Sequence, residues 1–447
     1  MSAETPSWGI EPVPERLRVL ETLDSFLLWT NLSISLLVLV AAAYFGLSLR
    51  DALLATLVGG LIGSAMLGVA AYIGADARVP TMVLQRAPLG QRGSYIATTL
   101  NVLQCLGWSV FEITVIAVAA SALSQRIFHV HLLWMWKLVF GAVGLTLALL
   151  GPIGFVRRFV RKFAVWAVGA SVVYLAVWIL QHGHVGRLWH AGGHGGSFWL
   201  GVDLVIALTV SWIPLVADYT RFARTPGSAF VGAGVGYLLP TFFQFGFGAI
   251  LVLSHPSIGG PTDVLTTVAA GGVGSLLALL ALTVDETDEA FANIYSTAVS
   301  IQNLLPRASQ RALIVCVAVS ATAISLGVDL TQYQQFLLLL GAFFVPLFGV
   351  LLADWLVAGR HYEPDDIFRG PAWRPGMIAA WLVGFCLYEW ISQTSGLGFW
   401  TRFLAHLHPP HGGIGASLPS FAVAFALSLA VTLPGRAAAR RDRTSLA

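Results

Sequence analysis

The sequence predicts an all-α polytopic membrane protein of twelve helices, and three observations carry that prediction. Hydrophobic residues fill 57% of the 447 positions while charged residues fill only 11%, less than half the share usual in soluble domains. Apolar runs long enough to cross a hydrocarbon core of about 30 Å recur along the chain. The positive charges are also unevenly distributed between the links, as a membrane topology requires.

The apolar runs lie at 25–45, 52–75, 95–124, 132–151, 161–181, 198–217, 229–254, 272–304, 311–328, 333–357, 375–395 and 415–434; they are numbered here as spans 1 to 12. With both termini inside, only Arg50, Arg126, Lys137, Arg187 and Arg402 of the 25 Lys and Arg fall outside, leaving 20 on the cytoplasmic side. The opening MSAETPSWGIEPVPERLRVLETLD is acidic and carries prolines, unlike a basic leader with a short apolar core, so span 1 is expected to act as its own insertion signal. Cys105, Cys316 and Cys386 all sit in apolar runs, which fits packing rather than a disulfide framework or redox chemistry. A net charge of +3 gives no reason to expect a nucleic-acid partner. The excess of Arg over Lys and the abundance of Ala associate the chain with GC-rich bacterial genomes, hence with a bacterial cytoplasmic membrane.

Taken in order, the expected units are a cytoplasmic N-terminal segment (1–24), five helices (25–181), an external loop (182–197) and five more helices (198–357). A cytoplasmic loop (358–374), an accessory pair (375–434) and a cytoplasmic tail (435–447) follow. Because five is odd, the two five-helix groups must enter the membrane in opposite orientation, the inverted-repeat plan of many secondary transporters. Span 1 has a polar stretch, LLWTNLSIS, that corresponds in place to TVSWIPL in span 6. Pro214 lacks a backbone donor and should open a local carbonyl there, whereas span 1 has no Gly or Pro at the matching place. The external loop holds His182, His184, His190 and His194 among many glycines. That is a metal-like residue set, but glycine-rich spacing does not fix a tetrahedral site, and a flexible loop is the expectation.

In span 3, Trp108 and Glu112 are four residues apart and so lie on one helix face. A flat indole beside an acid suits a flat heteroaromatic ligand, since the ring can stack and the carboxylate can accept from ring or exocyclic N–H groups. Ser211 and Trp212, just before Pro214, can supply the facing wall. Asp218 and Arg221 in DYTRF read as an inner clasp at i,i+3 spacing. Span 8 carries Asp285, Glu286, Asp288 and Glu289 inside an otherwise apolar run. On a continuous helix Asp285, Asp288 and Glu289 share a face that continues toward Asn293 and Ser296, with Glu286 turned about 100° away. Acids at membrane depth are expensive and mark a cavity, a pathway or a bound cation. Three so close cannot all stay ionised in a dry site without a cation, either a proton or sodium.

Five stretches together, LLWTNLSISLLVL, the Trp108/Glu112 pair, DYTRF, ANIYSTAVSIQNLLP and PLFGVLLADWLV, give the chain a sequence that resembles the nucleobase–cation symporters, the family of cytosine, purine, allantoin and hydantoin permeases. Within it the opening WGIEPVPERLRVLETLDSFLLWTNLSIS and the acidic span 8 look most like the hydroxymethylpyrimidine branch. The resemblance implies a LeuT-type 5+5 inverted repeat with two accessory helices. It places substrate on Trp108, Glu112, Ser211, Trp212 and Asp285, and the coupling cation on Asn31, Ser35, Asp288 and Glu289. It further implies cation-coupled import of a small aminopyrimidine by alternating access, without a cofactor, with cytosine or another heterocycle as the alternative. A membrane transferase holding Mg²⁺–diphosphate on DETDE is a remote alternative, because no second acidic motif or basic phosphate site accompanies it.

Overall fold

In the computed structural model the described residues are 9–155, 165–193, 195–330, 333–392, 398, 402–403, 406–407 and 415–445. Within helices, the side chains of 151–155, 165, 167–168, 261, 285, 288 and 434–445 lie outside the description. Sixteen helices carry the argument: α1 (Thr22–Asn31), α2 (Leu36–Ala41), α3 (Leu49–Ala77), α4 (Ser94–Phe128), α5 (Leu133–Phe155), α6 (Val165–His182), α7 (Phe198–Val210) and α8 (Val216–Thr220). They continue as α9 (Pro226–Ser254), α10 (Pro261–Ala270), α11 (Val273–Asp285), α12 (Thr287–Leu304), α13 (Gln310–Ser325), α14 (Tyr333–Val357), α15 (Pro375–Ile391) and α16 (Ser417–Ser445).

Helix ends follow local chemistry. Ser48 caps α3 by accepting from the Asp51 amide, and Thr225 and Ser228 form a capping box before Pro226 opens α9. By length and apolarity, six described helices can cross a membrane, and the pair Thr22–Asn31 and Leu36–Tyr44 forms a seventh span bent by 52°. Span 1 is therefore broken despite having no Gly or Pro at the bend. The Ser33 hydroxyl donates to the Thr30 carbonyl at 2.8 Å, and Ser35 caps α2 by accepting from the Leu37 amide at 3.0 Å.

Span 8, expected as one helix, is interrupted at one turn residue whose backbone stays right-handed helical. It divides at Glu286 into α11 and α12. The 255–271 link between spans 7 and 8 contains α10, which packs on α4.

α3 is the central strut, packed on α7 and α9, while α4 packs on α12 and α14 on α15 and α16. Close approach comes from small residues, as is usual between membrane helices. A Cβ on Gly74 would stand 2.4 Å from the Ala217 Cβ, and one on Gly63 would stand 2.9 Å from Thr209. The 358–374 loop is fastened to the turn at 89–93 by Pro371 and Ala372 carbonyls accepting from Gln91 and Arg92 amides. Arg374 meets Asp354 at 2.7 Å, so this loop ties the accessory helices to the inner end of α14.

Candidate functional site

The breaks of spans 1 and 6 and the turn at Glu286 in span 8 meet opposite α4. At the first break the Ser35 hydroxyl donates to Glu286 Oε1 at 2.7 Å and the Leu36 amide donates to Glu286 Oε2 at 2.6 Å. Glu286 thus stops the N-terminus of α2 while sitting at the turn of span 8. At the second break the freed carbonyls are taken by amides of α4. Gln104 Nε2 donates to the Ser211 carbonyl at 2.7 Å and Asn101 Nδ2 to the Pro214 carbonyl at 3.2 Å. The carbonyls expected near Pro214 therefore exist, and span 3 satisfies them.

Between the breaks lies a narrow, nearly closed cleft lined by Ser35, Trp108, Ser211, Trp212, Tyr237, Glu289, Asn293 and Tyr333 among others. Trp108 stands edge-on to Tyr333 with ring centroids 5.8 Å apart, and Trp212 stands edge-on to the buried Trp29 at 5.8 Å. Behind the cleft the carboxylates of Glu112, Glu286 and Glu289 come together, one oxygen of each lying within 4.8 Å of the others, and all three are buried. Such a group can share protons or hold a cation.

Of the residues picked from sequence, Ser35, Trp108, Ser211, Trp212 and Glu289 line the same cleft. Glu112 lies in the acid cluster. Asn31 ends α1 at the first break and is buried there. The side chains of Asp285 and Asp288 lie outside the described residues. Glu286, read as turned away from the acid face, is buried in the cluster with Glu289, its i,i+3 neighbour on the helix. Sequence reasoning also missed Tyr237, Tyr333 and Gln104, and gave Asn293 no role although it saw that residue on the acid face. Tyr237 and Tyr333 carried no signal beyond being aromatic residues in apolar runs. Gln104 and Asn101, spaced i,i+3 and polar at membrane depth, carried one that could have been used.

Asp218 and Arg221, expected as an i,i+3 clasp, meet through the backbone, Arg221 Nε donating to the Asp218 carbonyl at 3.3 Å, while the Asp218 carboxylate turns to Thr81. Its Oδ1 accepts from the Thr81 amide at 3.1 Å, and Thr81 Oγ1 accepts from the Ala217 amide at 2.9 Å. Arg221 donates to the Gly9 carbonyl at 2.8 Å and to the Tyr295 hydroxyl at 3.3 Å. Two of the external histidines are engaged locally, His182 with the Trp178 carbonyl and His190 with Arg50, and His194 lies outside the described residues.

The comparisons agree with this architecture. A family model described as permease for cytosine/purines, uracil, thiamine, allantoin matches residues 12–407. The chain is 26% identical over 365 residues to a cytosine permease of Escherichia coli (strain K12), covering 77% of this chain and 80% of that one. It is 23% identical over 453 residues to a purine-cytosine permease of Saccharomyces cerevisiae, covering 92% and 82%. Among solved structures it resembles Mhp1, a nucleobase-cation-symport-1 family transporter, in a closed conformation with bromovinylhydantoin bound. The TM-score is 0.77 at 19% identity, over 96% of this chain and 94% of that one. At that identity the likeness concerns the fold, that of an all-helical polytopic membrane protein.

Proposed function

Because this chain belongs to the family of permeases for cytosine, purines, uracil, thiamine and allantoin, we propose that it imports a small aminopyrimidine, with hydroxymethylpyrimidine as the leading candidate. As a member of that family it is a multi-pass membrane transporter, not an enzyme, and it works as a cation-coupled heterocycle permease by alternating access. The membrane transferase reading falls with that assignment.

The observation that carries the substrate proposal is the cleft, where Trp108 and Trp212 sit with Glu289 and Asn293. Indole faces suit a flat ring, and a carboxylate beside an amide suits a ligand rich in N–H donors. In this reading Trp108, Ser211, Trp212 and Glu112, with Asp285, serve the substrate, while Asn31, Ser35, Asp288 and Glu289 serve the cation. The break at Asn31–Ser35 and the break at Ser211–Leu215 support pairing the two five-helix groups as inverted repeats. Twelve spans, cytoplasmic termini and a bacterial inner membrane complete the proposal. Cytosine is the second reading, favoured by the relatives named above.

The test is uptake of labelled hydroxymethylpyrimidine into liposomes holding the purified protein, under a sodium or a proton gradient, with unlabelled cytosine as competitor. Gradient-driven uptake is expected. Absence of uptake under both gradients discards the pyrimidine reading.

A further inference from the structure

We propose that the cavity between α4, α10 and the 328–330 turn is a second ligand site, separate from the substrate cleft, taking one small neutral planar heterocycle that presents an N–H donor beside an acceptor. This rests on the reading of the chain as a heterocycle permease and adds a second place where a molecule of that class binds. The cavity measures about 340 Å³, within the range of roughly 300–1,000 Å³ usual for small-molecule sites, whereas the cleft between the breaks is nearly closed. α4 ends at His129, whose left-handed backbone (φ 58°) turns the chain back. The residues that follow, His131 and Leu133, then form part of the cavity wall.

The cavity does not extend the cleft. On α4, Ser121 stands about 20 Å along the helix from Trp108, and the wall residues Thr114, Val118, Ser121 and Gln125 lie about a third of a turn around it from Trp108 and Glu112. Its walls nevertheless all lead to the cleft. α4 carries Trp108, the 328–330 turn runs into α14 with Tyr333, and α10 leads through α11 to Glu289 on α12. An occupant holds together elements that shape the substrate site.

Val118, Leu133, Val328 and Leu330 make much of the wall apolar, so water filling it finds few of the polar partners an ordered water needs. The polar groups of α4 fall together. Ser121 and Gln125 are i,i+4 neighbours, and the Ser121 hydroxyl is buried with no hydrogen-bond partner among the described residues. The Gln125 amide offers a donor and an acceptor side by side. That pair matches the edge common to cytosine and hydroxymethylpyrimidine, an amine next to a ring nitrogen, as an amide side chain reads the corresponding edge of adenine. His131 and Thr266 are exposed, so the site opens to the surface. Its charge is balanced. Asp329 in the wall is in electrostatic reach of Lys137, whose amine donates to the Ser325 and Val328 carbonyls, and a neutral ligand therefore suits the cavity better than an ion.

Two measurements test this. Equilibrium dialysis of the purified protein with labelled cytosine, and separately with labelled hydroxymethylpyrimidine, should give two molecules bound per chain for at least one compound, falling to one in Ala122→Phe, which fills the cavity from α4. One molecule per chain in the wild type, or two retained in A122F, overturns the second site and leaves the permease reading standing; no binding of either compound overturns both. The second measurement does not depend on A122F folding. In a chain with Cys316 and Cys386 replaced by Ser, Val118→Cys should react with a soluble thiol reagent, and the bound pyrimidine should slow that reaction. The concentration giving half-protection should stay unchanged when Trp108→Ala weakens the cleft. A thiol that never reacts, a rate unaffected by pyrimidine, or protection that weakens in step with W108A overturns the proposal, the last because it traces protection to the cleft.

Discussion

Trp108 is buried against Tyr333 and Phe336 yet lines the cleft, so its contribution to binding should be separable from its contribution to packing. Ring stacking contributes about 0.5–1.5 kcal/mol, so Trp108→Phe should weaken substrate binding only slightly, while Trp108→Ala should weaken it roughly two- to tenfold or more, read as the concentration for half-maximal competition. Equal affinity in W108A would remove this residue from the site. Gln104 is a different kind of residue, holding the Ser211 carbonyl at 2.7 Å. Gln104→Ala leaves that buried carbonyl unpaired, a loss of about 1–3 kcal/mol, and should lower the unfolding temperature in detergent before it alters specificity. An unchanged midpoint would show that the broken helix needs no partner there. The Trp108/Glu112 pair was legible in the sequence because two residues four apart on a helix must share a face. Tyr237 and Tyr333 were not, because in a uniformly apolar helix no periodicity distinguishes the face toward a cleft from the face toward a neighbour.

At the scale of elements, the breaks do the positioning. Ser35 both caps α2 and donates to Glu286, so Ser35→Ala removes a charge-assisted bond of about 1.5–3 kcal/mol and a cap at once. Ser35→Thr keeps the hydroxyl and should recover most of the loss; thermal stability of the two variants checks this, and equal stability of S35A and wild type would rule out the contact as a support for α2. α3 approaches α8 only because Gly74 has no side chain, a Cβ there falling 2.4 Å from Ala217 Cβ. Gly74→Val should push α8 away and lose transport while the protein still inserts, as measured by uptake normalised to membrane-inserted protein. The sequence marked the place of the break in span 6 through Pro214. It concealed the role of Glu286 in span 8, since nothing in the stretch itself says that the Ser35 hydroxyl and the Leu36 amide will meet that carboxylate.

At the scale of the whole molecule, the N-terminal segment straps the end of the bundle where α3 and α8 finish. Leu20 pairs with Ala223, the Arg18 Nε donates to the Ala223 carbonyl at 3.0 Å and its Nη2 to the Ala75 carbonyl at 3.4 Å, and Arg221 holds the Gly9 carbonyl. These bonds tie the chain before α1 to α3 and to the turn after α8, the elements that must part if that end opens. Arg18→Ala should therefore raise amide exchange at Leu20 and Arg224 in the substrate-free protein. Exchange as slow as in wild type would mean that the strap does not hold this end.

By itself the sequence determined the class of molecule, the order of its apolar spans and the residue types available to a site. Those follow from hydropathy and from the cost of placing acids in a membrane, both of which are properties of short stretches of chain. Only the tertiary structure decided that Glu286 turns inward to Ser35 and Leu36, and that Glu112 joins Glu286 and Glu289 in one cluster. Those are contacts between residues more than a hundred positions apart. A helical repeat fixes which side chains share a face, but the neighbours packed against that face decide which of them meet.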